Sequence, residues 1–131
     1  MKIDHIGIAV ESIEKVSQFY KEINLEICHT EEVKDQQVKA AMIEIGESRI
    51  ELLESLSPEG PIGKFITKKG PGIHHIAIEV EKLEQKLKEL AEKGYSLIDK
   101  NPRIGAGGNK IAFIHPKSSG GILIELCERC K

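Results

Sequence analysis

Two histidines and two glutamates in this chain stand where chemistry is expected. His5 opens the run HIGIAV, and His75 opens the similar run HIAIEV 70 positions later. Glu51 lies in RIELLE and Glu125 in LIELCE, 74 positions apart. A period of two puts His5 with Gly7 and Ala9, and His75 with Ala77, on the face opposite the isoleucines. Each glutamate is flanked by isoleucine and leucine, residues that seek burial. An isolated buried carboxylate is costly, so it is neutralised, paired or bound to a metal. Two carboxylates and two imidazoles meeting inside a curled sheet would form a site that balances one divalent cation. Taken singly, each residue has a plainer reading: a histidine satisfied in the core, or a glutamate facing water across a one-sided sheet. Recurrence of both types at matched places favours the joint site, because core strands rarely tolerate four unpaired polar groups.

A mixed imidazole–carboxylate set suits Co2+, Ni2+, Zn2+, Mn2+ or Fe2+ rather than Ca2+ or a thiolate-loving metal. Such an ion acts as a Lewis acid on a carbonyl oxygen, stabilising an enolate, while a nearby carboxylate removes the proton. Glu51 and Glu125 on opposite sides would deprotonate one face and reprotonate the other, as an epimerase or proton-shuttling isomerase requires. His74 points away from His75, since adjacent strand residues face opposite sides. His29 and His115 have no counterparts in the other half. Cys127 and Cys130 form a lone CxxC at the end of a strand-like run, with no second ligand pair for zinc and no helix to open, and Cys28 stands alone.

The elements that must position these residues repeat. A strand over 3–10 leads to a helix capped by Ser12 and carrying Ile13, Val16, Phe19, Tyr20 and Ile23 at helical spacing. Strands follow near 26–32, 38–45 and 48–54, with Gly46-Glu47 as a turn. A connector over 55–72 holds Pro58, Pro61 and Pro71, with a helical turn or two near 62–68. The order then begins again: a strand over 75–80, a helix with Leu83, Leu87, Leu90 and Ala91 inward, and Gly94 as its left-handed end. Strands near 95–99, 110–114 and 121–128 complete it. The expectation is an α+β fold of two tandem βαβββ modules related by approximate two-fold symmetry, forming one domain over 1–131. Module one covers about 1–54, the connector 55–72 and module two about 73–131. Either copy alone would bury too little surface to be stable.

The 131 residues, 40% apolar and 31% charged, suffice for one such core. With 19 Lys plus Arg against 21 Asp plus Glu, the chain lacks the uncompensated cations a nucleic-acid binder needs. No apolar run approaches the roughly 20 residues that span a bilayer. The N-terminal residues carry no signal-peptide pattern, so a cytoplasmic protein without a membrane partner is expected.

The runs DHIGIAV, RIELLE, GIHHIAIEV, RIGAGGNKIAFIHPKSSGG and ILIEL resemble the methylmalonyl-CoA epimerase family of the vicinal oxygen chelate (glyoxalase) superfamily, over essentially the whole chain. The resemblance implies paired βαβββ modules around a metal-holding cleft, commonly in a homodimer. It implies interconversion of (2R)- and (2S)-methylmalonyl-CoA by a 1,1-proton transfer through a metal-stabilised enolate, with one divalent ion per chain, cobalt first among the candidates. The family's ligand positions fall on His5, Glu51, His75 and Glu125. Some members carry glutamine where Glu51 stands, and some use a separate carboxylate where this chain has Ala40. Glu125 and Glu51 are therefore the expected bases, with Glu44, on the face of Ala40, as a further candidate. Gly105, Gly107, Gly108 and Asn109 form a glycine-rich turn where backbone can approach an acyl-CoA substrate closely. Two alternatives stand beside this reading. Glyoxalase I (lactoylglutathione lyase), acting on a hemithioacetal, has nearly the same ligand set but usually a DPDG-like turn where this chain has HPKSSGG. A non-catalytic binding protein of the superfamily normally lacks the ligands.

Overall fold

A computed structural model describes residues 1–130, which divide into two compact units. One is His5–His74; the other joins Met1–Asp4 to the chain from His75 onward. Each carries a mixed sheet with a helix packed on one face, the first adds a second helix on its other face, and the two have the same strand order and connections. The expected α+β fold of two tandem βαβββ modules is what the chain adopts.

In the first unit the strands are β1 (Lys2–Val10, its first three residues counted with the other unit), β2 (Ile27–Val33), β3 (Val38–Ile45) and β4 (Ser48–Ser55), in the order β2-β3-β4-β1. β1 runs parallel to β4, and the other pairs are antiparallel. The helix α1 (Ile13–Glu22) lies on the face made by Ile8, Val10, Ala41, Ile43 and Leu52, adding Ile13, Val16 and Tyr20 to that core. Phe19 and Ile23, which share its apolar spacing, are exposed instead; the Phe19 ring meets Tyr20 edge-on. One helix of ten residues has a narrower buried stripe than its apolar residues could fill. The opposite sheet face is partly covered by α2 (Pro61–Lys69), whose Ile62, Phe65 and Ile66 pack on Ala9, Val38, Ala40 and Leu53. That helix is longer than the one or two turns expected. It approaches its own connector so closely that a Cβ on Gly63 would fall 2.7 Å from Pro58 Cα.

In the second unit β5 (Gly72–Glu79), β6 (Arg103–Ile104), β7 (Lys110–Ile114) and β8 (Leu123–Glu128) take the order β5-β8-β7-β6. β5 and β8 are parallel, and the remaining pairs antiparallel. The helix α3 (Leu83–Glu92) seats Leu83, Leu87 and Leu90 on Ile78, Ala112, Ile114, Ile124 and Leu126. Gly94 takes the left-handed conformation expected after it. The strand expected near 95–99 does not form. Only Leu97 bridges to Ile114, and the amides of Ile98 and Asp99 both donate to the Phe113 carbonyl. The Asp99 carboxylate then accepts the Phe113 amide at 2.8 Å, replacing a ladder bond by a side-chain one. The edge strand is β6 instead. Asp4, 2% exposed, receives Arg129 Nη2 at 3.2 Å, and Arg129 Nε reaches Glu79 at 2.7 Å.

The repeat also anchors its helices. Glu54, at the end of β4, accepts the Ile13 amide at 2.7 Å, beside the Ser12 hydroxyl that accepts from Lys15. Glu128, at the end of β8, accepts the amides of Lys82 and Leu83 at 3.2 Å each. A carboxylate there satisfies free N–H groups and meets the positive end of the helix dipole. α3 has no capping side chain of its own, and Lys82 is held at φ +53. Glu128→Ala is therefore expected to cost about 2 kcal/mol and Glu54→Ala, backed by Ser12, about 1 kcal/mol. Urea unfolding of both variants checks this; an equal or reversed order contradicts it.

Candidate metal centre

Two buried His–Glu pairs occupy equivalent places in the two units. In the first, His5 on β1 is in register with Arg49 on β4, and Gly7 with Glu51. In the second, His75 on β5 is in register with Leu123 on β8, and Ala77 with Glu125. The residue directly across from each glutamate is thus glycine or alanine. With no bulk there, the imidazole one step away along the strand and the carboxylate lean toward each other. His5 Nε2 lies 3.7 Å from Glu51 Oε1, and His75 Nε2 lies 3.7 Å from Glu125 Oε1. That is too long for a hydrogen bond between them, yet close enough for both atoms to face one shared partner. All four residues are 5–8% exposed.

Imidazole nitrogen and carboxylate oxygen are the ligands that first-row divalent ions take, so the donor chemistry of each His–Glu pair suits such an ion. His5, His75 and Glu125 each offer a ligand atom from a buried position. Outside the pairs, the histidines have other work. His74 is half-buried with its ring edge-on to Phe65 at 5.0 Å; burial and then Lys69 hold its pKa below the ordinary value. His115 Nδ1 accepts the Lys117 amide, and His29 lies 3.7 Å from Glu31 on an exposed strand.

Several neighbours on the same sheet faces were not read from the sequence. Arg49 stands two residues before Glu51, in register with His5 on one side and Glu44 on the other. Strand alternation from Glu51 could have found it. Phe113 stands across from Glu125, its ring edge-on to His75 at 5.9 Å. Arg103 holds its guanidinium 5.3 Å from the Phe113 ring centre, and nothing local in the sequence announces that contact. Ala40 is sealed among Ala9, Val38, Leu53 and Ile62, surroundings in which a carboxylate would be costly. Glu44 is exposed at the end of β3.

In the glycine-rich turn, Gly107 and Gly108 both have positive φ, and a Cβ on Gly105 would meet Ile111 at 2.7 Å. Asn109 Oδ1 accepts the Cys130 amide at 3.1 Å, tying the turn to the C-terminal segment. Cys127 is buried, and burial, with Asp4, Glu125 and Glu79 nearby, pushes its thiol up to about 12. Buried and held protonated, it reacts slowly at neutral pH.

Residues 4–113 match the Glyoxalase/Bleomycin resistance protein/Dioxygenase superfamily. The Bacillus subtilis protein YqjC, itself uncharacterized, is 44% identical over 128 residues, 97% of this chain and 91% of its own. The human mitochondrial methylmalonyl-CoA epimerase is 34% identical over 127 residues, 95% of this chain and 72% of its own. Among solved structures, a variant of the Streptomyces coelicolor methylmalonyl-CoA epimerase in complex with 2-nitronate-propionyl-CoA is similar at a TM-score of 0.92 and 34% identity. The match covers 99% of this chain and 95% of that one. Among the described residues, no helix is long and apolar enough to cross a membrane.

The thiol chemistry can be checked directly. A disulfide reagent at neutral pH should modify Cys28 and Cys130 quickly in the folded protein and Cys127 only after unfolding. Rapid labelling of Cys127 in the native state would contradict the raised pKa.

Proposed function

We propose, on the premise that this chain belongs to the glyoxalase/bleomycin resistance protein/dioxygenase superfamily, that it is a metal-dependent epimerase of methylmalonyl-CoA. One observation carries the reading: the two matched His–Glu pairs, buried at equivalent register positions with the same 3.7 Å spacing. The likeness to named epimerases over nearly the whole chain supports it.

In this reading His5, Glu51, His75 and Glu125 would hold one divalent ion, cobalt first, within a single domain over 1–131. The ion, when bound, supplies a Lewis acid that polarises the thioester carbonyl and makes the C2–H bond more acidic. The chain's own residues move the proton. Glu125 takes it from C2 on one face through a carboxylate oxygen, leaving the electron pair on C2 in conjugation with the carbonyl. Glu51 delivers a proton to C2 from the other face, and the configuration inverts. In the reverse direction the two exchange roles. Each carboxylate has two oxygens, so a glutamate that would help to hold the ion still has one with which to handle the proton. Gly7 and Ala77, in register with the two glutamates, leave space above them for the acyl unit. Gly105, Gly107, Gly108 and Asn109 line the approach of the acyl-CoA. The same reading makes the protein a cytoplasmic homodimer.

The test is proton exchange at C2. In deuterated water, the metal-supplemented protein should wash deuterium into methylmalonyl-CoA at C2 while interconverting its epimers. Glu125→Gln, at matched metal content, should lower kcat by about 10²- to 10⁴-fold, the usual worth of a positioned base. Near-unchanged turnover by that variant removes the assigned role. Activity confined to the methylglyoxal–glutathione hemithioacetal would replace the epimerase by the lyase.

A further inference from the structure

The second unit carries a charged layer beside its His–Glu pair that the first unit does not repeat. Arg103 on β6 is in register with Ile111 on β7, which places it on the same sheet face as Phe113, Glu125 and His75. Its guanidinium carbon lies 5.3 Å from the centre of the Phe113 ring. That ring meets His75 edge-on, at 5.9 Å and 85°. Asp99 secures both ends of the contact: one carboxylate oxygen accepts the Phe113 amide at 2.8 Å and lies 3.5 Å from Arg103 Nε. A cation against an aromatic face is favourable and fixes the plane of the guanidinium.

Asp99 engages Nε, while the two terminal nitrogens form the fork that matches a carboxylate or phosphate. The Arg103 side chain is 47% exposed, so this fork is within reach of a ligand lying on the sheet face. The first unit's equivalent positions hold different chemistry. Met42, not an aromatic residue, stands across from Glu51, and Glu31 stands across from Ala40 where Arg103 stands across from Ile111. One edge therefore attracts an anion where the corresponding edge of the other unit repels it.

We infer that Arg103 is a recognition residue for the anionic oxygens of an acyl-CoA, positioned by Phe113 and Asp99, and that it gives the substrate one orientation on the site. The inference rests on the thioester reading above. The recognised group is the acyl carboxylate or a phosphate of the CoA, which share the chemistry the fork selects.

Calorimetric titration of the full, metal-supplemented chain separates these sources. The probes are malonyl-CoA, acetyl-CoA, which lacks the acyl carboxylate, and malonyl-pantetheine, which lacks the phosphates. Arg103→Met keeps aliphatic contact with Phe113 and removes the donors. It should weaken malonyl-CoA binding at least about tenfold, as a charged hydrogen bond is worth, with part recovered in Arg103→Lys. Lys93→Met, which removes an exposed charge past α3, should change nothing. A loss confined to malonyl-pantetheine of the two partial probes assigns the acyl carboxylate; a loss confined to acetyl-CoA assigns the phosphates. Unchanged binding of malonyl-CoA, or equal losses on both partial probes, overturns the inference. Arg103-dependent binding without C2 exchange in the wild type would leave the inference standing and remove the epimerase. C2 exchange with binding indifferent to Arg103 would do the opposite, and no binding of malonyl-CoA by the wild type would end both.

Discussion

Burying a carboxylate beside an imidazole, twice, is the constraint around which this molecule is arranged. An ionised carboxylate leaves water at a cost of several kcal/mol unless its charge is met by partners. Glu51 and Glu125 are buried on strands flanked by apolar residues, each with a histidine nitrogen at 3.7 Å. In the proposed reading a divalent cation would meet both charges and take the imidazoles as neutral ligands.

The fold serves that constraint through small devices used twice. Gly7 and Ala77 sit directly across from the glutamates, so parallel pairing of the first and last strand of each module opens space where the polar groups converge. At the far end of the same last strands, Glu54 and Glu128 fix the start of α1 and α3. One strand thus carries a site carboxylate in its middle and a helix anchor at its end. α1 and α3 cover the sheet face opposite the ligand groups, while α2 packs on part of the first unit's ligand-bearing face. Where the modules diverge, the difference is chemical: Met42 and Glu31 in one, Phe113 and Arg103 in the other.

Much of this was legible because strand alternation and an internal repeat are strong signals. The HIGIAV and HIAIEV runs placed both histidines on the right face, and the two Ile-Glu-Leu runs supplied their partners. The same alternation separated His74 from His75, and His74 indeed packs on Phe65. What escaped depended on tertiary choice. The segment 95–99 has strand-like residues, but the Asp99 side chain takes the Phe113 amide and the edge position passes to Arg103-Ile104. Phe19 and Ile23 have helical spacing, yet the sheet beneath α1 needs only Ile13, Val16 and Tyr20. Arg103 reaches the site face through a two-residue strand whose register follows a glycine-rich turn, information that no local pattern holds.

The most direct test of the account is the ligand environment of the ion itself. Elemental analysis of purified, cobalt-supplemented protein, followed by X-ray absorption at the cobalt edge, reads both stoichiometry and donor atoms. The account predicts one ion per chain in a shell of nitrogen and oxygen with the signature of two imidazoles, and no sulfur. Absence of a stoichiometric ion, or a shell containing thiolate, would contradict it.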